Sequence, residues 1–335
     1  MARNSEEYGR QILSYWTAER MQSAQPEPDP EFSEVDMMIA DQPTGAHAIL
    51  SYWSPERLAS AQPEPLAYGE HIETEEETIR GDSSESRLSA ATQAAGSLKI
   101  VPDNTVKTFP YQSVGKLFYT KVSPSGSRDS YASAWVANVS SQLHVVVTAA
   151  HCLERGNETA TNILFIPGFI PPSSRLFGSY PQIPGGKGVA WSVDPNWNPN
   201  SMQAKYDQGM IKLDKDPNTG KYVDEVVIPI QILSNQNYTP TSEWNTIGFP
   251  VPSSGNPDGK MAERSGTYFK MSSDGGSVYK YGTLPKATSG GPWILAGSHD
   301  SSNGIQAGNV SEYQCAQSPY FKSTAEELVK LFFRD

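Results

Sequence analysis

The sequence predicts an all-β protein of sandwich or barrel type behind a separate N-terminal extension, and three observations carry that reading. From about residue 99, short β-branched and aromatic runs alternate with Gly, Pro, Ser and Asn turns. Only one segment in that region, STAEELVKLFF at 323–333, has a helical apolar spacing. Charge changes at the same boundary: residues 1–98 hold 18 Asp and Glu against 6 Lys and Arg, whereas residues 99–335 hold 19 against 20. The formal net charge of −11 therefore belongs to the extension and not to the β-rich part.

A chain of 335 residues is long enough for one large domain or two ordinary ones. Its acidic balance excludes a nucleic-acid binder, which needs a basic face to neutralise phosphates. No apolar run approaches the roughly 18 residues of a membrane span. The opening MARNSEEYGR lacks the basic-then-apolar layout of a secretory signal. Two cysteines, Cys152 and Cys315, exclude a disulfide scaffold and a Cys-rich zinc site. No metal and no cofactor is expected.

The extension contains a repeat. ILSYWTAERMQSAQPEP at 12–28 returns as ILSYWSPERLASAQPEP at 49–65, with 13 of 17 positions identical. Two copies are too few for a solenoid. Each copy reads as a short capped helix: Ser54 is an N-cap, Pro55 fits the first helical position, and Trp53 can pack on Leu58 as a hydrophobic staple. Trp16, Thr17 and Met21 repeat the arrangement. The stretches between, such as GEHIETEEETIRGDSSESR at 69–87, have the composition of disordered chain. The extension is thus either a disordered tail with two helical fragments or a segment whose two aromatic motifs dock on a partner or on this chain's own globular part.

In the β-rich part the strand candidates are SVGKLFYTKV, SAWVANV, LHVVVTAA, NILFIPGF, GVAWSV, QGMIKL, VVIPIQIL, WNTIGFP, GTYFKM and GIQAGN. The closing helix has Ser323 as N-cap with Glu326 three residues on, a capping-box pattern.

Three segments carry chemistry. VVVTAAHC is an apolar strand ending in His151, YDQGMIKL places Asp207 at the start of another, and ATSGGP places Ser289 in a small-residue turn before WIL. Singly, each has an ordinary explanation, since lone histidines and Ser-Gly-Gly-Pro turns are common. Together they supply the parts of a nucleophilic triad. A serine hydroxyl is a weak nucleophile until an imidazole takes its proton, and the imidazole needs a carboxylate to fix its tautomer. Glycines after the serine allow a tight turn and leave amides free to donate to an oxyanion.

TAAHC, YDxGMIxL and SGGP, in this order and 56 and 82 residues apart, resemble the three active-site blocks of the chymotrypsin/trypsin-like serine peptidases. FPYQSVGKLFY followed by SAWV is similar to the bacterial and fungal glutamyl-endopeptidase-like branch, and YW[ST]xER[ML] resembles a pro-region element ahead of some microbial peptidases. The resemblance covers about residues 105–335. It implies a double six-stranded β-barrel with a C-terminal helix in residues 99–335, behind the largely disordered extension 1–98. It implies a serine endopeptidase acting on protein or peptide substrates through an acyl-enzyme, with His151 as base and acid, Asp207 as its orienter and Ser289 as nucleophile. The backbone N–H groups of Ala287 and Ser289 would form the oxyanion hole.

The pattern departs from the family at several positions. Ala287 replaces a near-constant Gly, which motivates the alternative of a catalytically impaired peptidase-like binding module regulated by its N-terminal repeats. Thr288 replaces the Asp that receives a new N-terminal amine in trypsin-type enzymes. Thr283 stands where a Lys/Arg-specific enzyme has Asp, and Gln306 stands where glutamyl enzymes have His, so a neutral pocket of Thr283, Leu284 and Gln306 is expected. The usual partners of both cysteines are missing. Two free thiols favour a reducing compartment, whereas the resemblance and four Asn-x-Ser/Thr triplets, at Asn138, Asn157, Asn237 and Asn309, favour secretion.

Overall fold

In a computed structural model the chain is described at residues 45–65, 97–140, 143–172, 174–232, 243–253, 255–271, 277–281, 288–295, 301–305, 308–310, 315–319, 329–330 and 332–333. The first repeat copy, Ala287, and the pocket residues Thr283, Leu284 and Gln306 lie outside these, as do Ser323 and Glu326. Two short helices open the described chain, α1 (Ala46–Tyr52) and α2 (Pro55–Ser60). Two two-residue strands follow, β1 (Gln62–Pro63) and β2 (Lys99–Ile100). The long β3 (Val114–Ser123) and β4 (Gly126–Ser140) come next, then β5 (Leu143–Thr148) and the single-turn helix α3 (Ala150–Leu153). Beyond α3 lie β6 (Glu154–Arg155), β7 (Glu158–Pro167), β8 (Tyr180–Pro181), β9 (Trp191–Val193) and β10 (Gly209–Lys212).

These strands close a barrel. β3 pairs antiparallel with β4 and with β7, β4 with β5, β5 with β10, and β7 with β8. A bridge between Gln182 and Leu213 then joins the end of β8 to the end of β10 and completes the ring β3–β4–β5–β10–β8–β7. Closure removes free sheet edges, and β3 is accordingly buried along its whole length. Val114, Leu117, Phe118, Trp135, Val146, Leu164, Phe165 and Ile211 are all buried, and since neighbours along a strand face opposite ways, both faces of this sheet are covered. Gly115 lets β3 and β7 approach closely: a Cβ there would lie 2.3 Å from the Phe165 ring and 2.7 Å from the Ile166 carbonyl oxygen.

The second half contributes β11 (Ile230–Ile232), β12 (Glu243–Gly248), β13 (Ala262–Met271), β14 (Ser277–Tyr281), β15 (Pro292–Leu295), β16 (Ser301–Ile305), β17 (Gly308–Val310) and β18 (Cys315–Pro319). Their antiparallel order is β16–β15–β12–β13–β14–β18, with β17 on β18. β11 runs parallel to both β4 and β16 and so ties the halves together. Val329, Lys330 and Phe332 are helical, and Phe332 and Phe333 are buried in the same core as β10. Among the described residues, no helix is long and apolar enough to cross a membrane.

The second repeat copy packs into the first barrel. Ser54 caps α2 by accepting the N–H of Arg57, with Pro55 as the first helical residue. Ile49, Trp53, Leu58 and Ala61 all join the hydrophobic core. The Trp53 ring lies 5.5 Å from that of Phe118, and its Nε1 donates to the Asn162 carbonyl at 2.6 Å. Tyr52 donates to Asp129 at 2.8 Å, and Arg57 stacks over Tyr52 while pairing with the same carboxylate. β1 then runs parallel to β4, with Gln62 opposite Ser130 and Pro63 opposite Tyr131.

Gly115→Ala is expected to force β3 and β7 apart and cost about 1–3 kcal/mol as overpacking. Urea denaturation measures this directly; an unchanged midpoint would contradict the packing.

Candidate active site

His151 and Asp207 meet because of strand register. β10 runs antiparallel to β5 with Gly209 opposite Thr148, so the residues just before β10 lie beside those just after β5. Asp207 ends a 3₁₀ turn two residues before Gly209, and His151 lies in α3, three residues after Thr148. Both Ala149 and Ala150, between the strand and His151, are fully buried. The carboxylate uses both oxygens on one residue: Oδ1 accepts the His151 backbone N–H at 2.9 Å and Oδ2 meets Nδ1 at 2.8 Å. This two-point hold fixes the ring plane and places the proton on Nδ1, leaving Nε2 to accept. Both side chains are completely buried. Burial alone would pull the imidazole pKa down, but the Asp207 carboxylate outweighs it, and the His151 pKa is raised above its ordinary value.

Ser289 is placed by strand β4. The Ser133 backbone N–H donates to the Ser289 carbonyl at 2.9 Å. The same Ser133 accepts the Phe249 N–H on its Oγ and the Thr148 hydroxyl on its carbonyl, both at 2.9 Å. One residue thus joins the serine turn, the end of the strand leading to His151, and the loop after β12. The turn itself closes with Gly291 N–H donating to Thr288 at 3.0 Å. Gly290 has φ +83°, and a Cβ there would lie 2.2 Å from both the Ser133 carbonyl and the Thr148 hydroxyl. Only glycine satisfies both the conformation and the space. Ser133 was not singled out from the sequence; its only signal is a hydroxyl in an otherwise apolar strand run.

The structure brings His151 and Asp207 into contact and holds the Ser289 turn against the strand that leads to them. The Ser289 Oγ and His151 Nε2 are both buried and have no hydrogen-bond partner among the described residues, so the serine–imidazole bond is not formed in this arrangement. Catalytic hydrogen bonds of this kind are commonly long before substrate binds and tighten in the complex. Cys152, next to His151, is a free and buried thiol. Two further residues approach from behind: Lys121, fully buried, donates to the His151 carbonyl at 2.9 Å, and Glu64 of the second repeat copy lies 3.9 Å from that ammonium. Neither stood out in the sequence, because a Lys in KLFYTKV and a Glu in QPEP read as solvated charges.

Gly290→Ala is expected to destabilise by about 2–4 kcal/mol, combining the left-handed backbone with a clash on two sides. Thermal or urea unfolding reads the loss, and near-wild-type stability would contradict the described turn.

Neither any protein-family model nor any curated protein matches the chain. Solved structures do. A protease, Anisep, from Arthrobacter nicotinovorans aligns at TM-score 0.54 and 19% identity, covering 67% of this chain and 96% of its own. A thermostable serine protease, AL20, from an extremophilic microorganism aligns at TM-score 0.54 and 20% identity, covering 69% and 97%. A Glu endopeptidase aligns at TM-score 0.52 and 15% identity, covering 72% and 97%. With its closed first barrel, its linked second sheet and these neighbours, the chain has the chymotrypsin-like fold of the trypsin-like serine proteases.

Proposed function

We propose that the protein is a serine endopeptidase. The observation that carries this reading is the buried two-point contact between Asp207 and His151, with the Ser289 turn fixed on the adjoining strand. In the proposed cycle, His151 Nε2 takes the proton from Ser289 Oγ as the oxygen attacks a peptide carbonyl. The tetrahedral intermediate expels the amine, which leaves with the proton held by His151, and the acyl group remains as an ester on Ser289. Water deprotonated by the same imidazole then hydrolyses the ester. The backbone N–H groups of Ala287 and Ser289 stabilise the oxyanion in this scheme, and Asp207 stabilises the imidazolium. Thr283, Leu284 and Gln306 are proposed to line a neutral specificity pocket, so cleavage after Lys or Arg is not expected.

A fluorophosphonate probe tests the reading. It is expected to label Ser289 in the wild-type protein, to fail with Ser289→Ala, and to label far more slowly with His151→Ala. No labelling of the wild type would sink the endopeptidase reading and leave a peptide-binding module.

The raised His151 pKa sets a pH dependence. The base must be unprotonated to act, so the rate of labelling should rise with pH through an inflection above the ordinary histidine value of about 6.5. The same shift stabilises the fold fully below about pH 6.5, and that contribution is lost as pH rises through the folded-state pKa. Asp207→Asn removes the cause, so the residual activity should show a lower inflection. An inflection at or below about 6.5 in the wild type would contradict the account.

A further inference from the structure

We propose that the segment 49–65 is a retained, activating part of the peptidase domain, and that its Glu64 acts through Lys121 as a positioning residue for His151. Four observations converge on this. The segment contributes four core side chains, Ile49, Trp53, Leu58 and Ala61, and its strand β1 pairs with β4. The Glu64 backbone N–H donates to the Tyr131 carbonyl at 2.8 Å, two residues along β4 from the Ser133 that holds Ser289. The Glu64 carboxylate is completely buried and faces two cations, the Lys121 ammonium at 3.9 Å and the Arg128 guanidinium at 3.4 Å. Lys121, itself completely buried, spends its hydrogen bond on the His151 carbonyl, and from the other end of the same turn Arg155 donates to the Pro65 carbonyl at 3.1 Å.

The docked copy therefore bears on both ends of the His151–Arg155 segment, directly at Arg155 through the Pro65 carbonyl and by way of Lys121 at His151. It makes no hydrogen bond to Ser289 Oγ or His151 Nε2, neither of which has a hydrogen-bond partner among the described residues. A masking segment would engage those atoms or the cleft beside them, whereas this one places a buried carboxylate 3.9 Å from the Lys121 ammonium that holds the His151 carbonyl. Burial pulls the Lys121 pKa down and Glu64 is the first charge opposing it. Losing Glu64 would release the ammonium from the His151 carbonyl and loosen the turn that aims the imidazole.

The kinetic half of this proposal rests on Ser289 being the nucleophile; the retention half does not. The test uses full-length protein carrying Glu64→Gln together with Glu27→Gln, which denies the first repeat copy the matching carboxylate. The maximal rate of fluorophosphonate labelling should fall about tenfold to 10²-fold while the half-saturating probe concentration changes less than about twofold. Adding Lys121→Met removes the unpaired ammonium and should restore the urea midpoint without restoring the rate. A wild-type rate in the double variant overturns the proposal, and so does a rate that recovers along with the midpoint in the triple variant. A site-specific protease sequence inserted between residues 66 and 96 gives a readout independent of serine chemistry. After cutting, the leader fragment should co-elute with the barrel on gel filtration; release of the fragment, with faster labelling, overturns retention and activation alike. If the uncut wild type does not label, the endopeptidase reading falls, while co-elution or release still supports or overturns the retained leader.

Discussion

One edge of strand β4 sets the rest of the arrangement. β3 takes the opposite edge from Gly126 to Trp135, so the outward backbone groups of Tyr131, Ser133 and Trp135 need other partners. Each finds a different one. Tyr131 accepts from Glu64 of the leader, Ser133 donates to Ser289, and Trp135 lies opposite Val147 of β5, the strand that delivers His151. Leader, Ser289 turn and the strand leading to His151 are thus laid side by side on consecutive alternate residues of one strand. No partner can shift by a residue without exchanging inward and outward side chains along β4.

Charge inside the barrel follows the same geometry. Glu64, Lys121, His151 and Asp207 are all completely buried, and Arg128 and Glu158 flank them at 2.9 Å from each other. Removing one partner of a buried pair costs about 3–5 kcal/mol, a large share of the 5–15 kcal/mol that separates folded from unfolded domains. The leader therefore cannot leave the barrel without a penalty comparable to the stability of the fold. Its acidity elsewhere is a separate matter: the described leader residues hold only Glu56 and Glu64 against Arg57, so most of the excess negative charge lies outside the docked segment.

Much of this was legible in the sequence where local chemistry decides local structure. Ser54 and Pro55 announced the start of α2, and the runs GKLFYTKV, LHVVVT and GMIK became β3, β5 and β10. TAAHC and YDQG marked the His151–Asp207 pair because that chemistry needs those residue types at strand ends. What was not legible depends on contacts between distant segments. β4 begins at Gly126, well before SAWV, because Arg128, Asp129 and Ser130 look like turn residues until Glu64, Tyr52 and Arg57 cover them. Lys121 and Glu64 carry no local sign of burial, since a charge is recognisable as interior only once its partner is known. Ser133 escaped for a similar reason: its role comes from three acceptor and donor atoms supplied by segments more than ten residues away.

Residue-resolved amide hydrogen exchange on the full-length protein, before and after cutting the chain between residues 66 and 96, tests the shared β4 edge most directly. The account predicts that the amides of Glu64 and Ser133 stay protected together with those of β3, before and after the cut. Rapid exchange at Glu64 and Ser133 while β3 remains protected would contradict it.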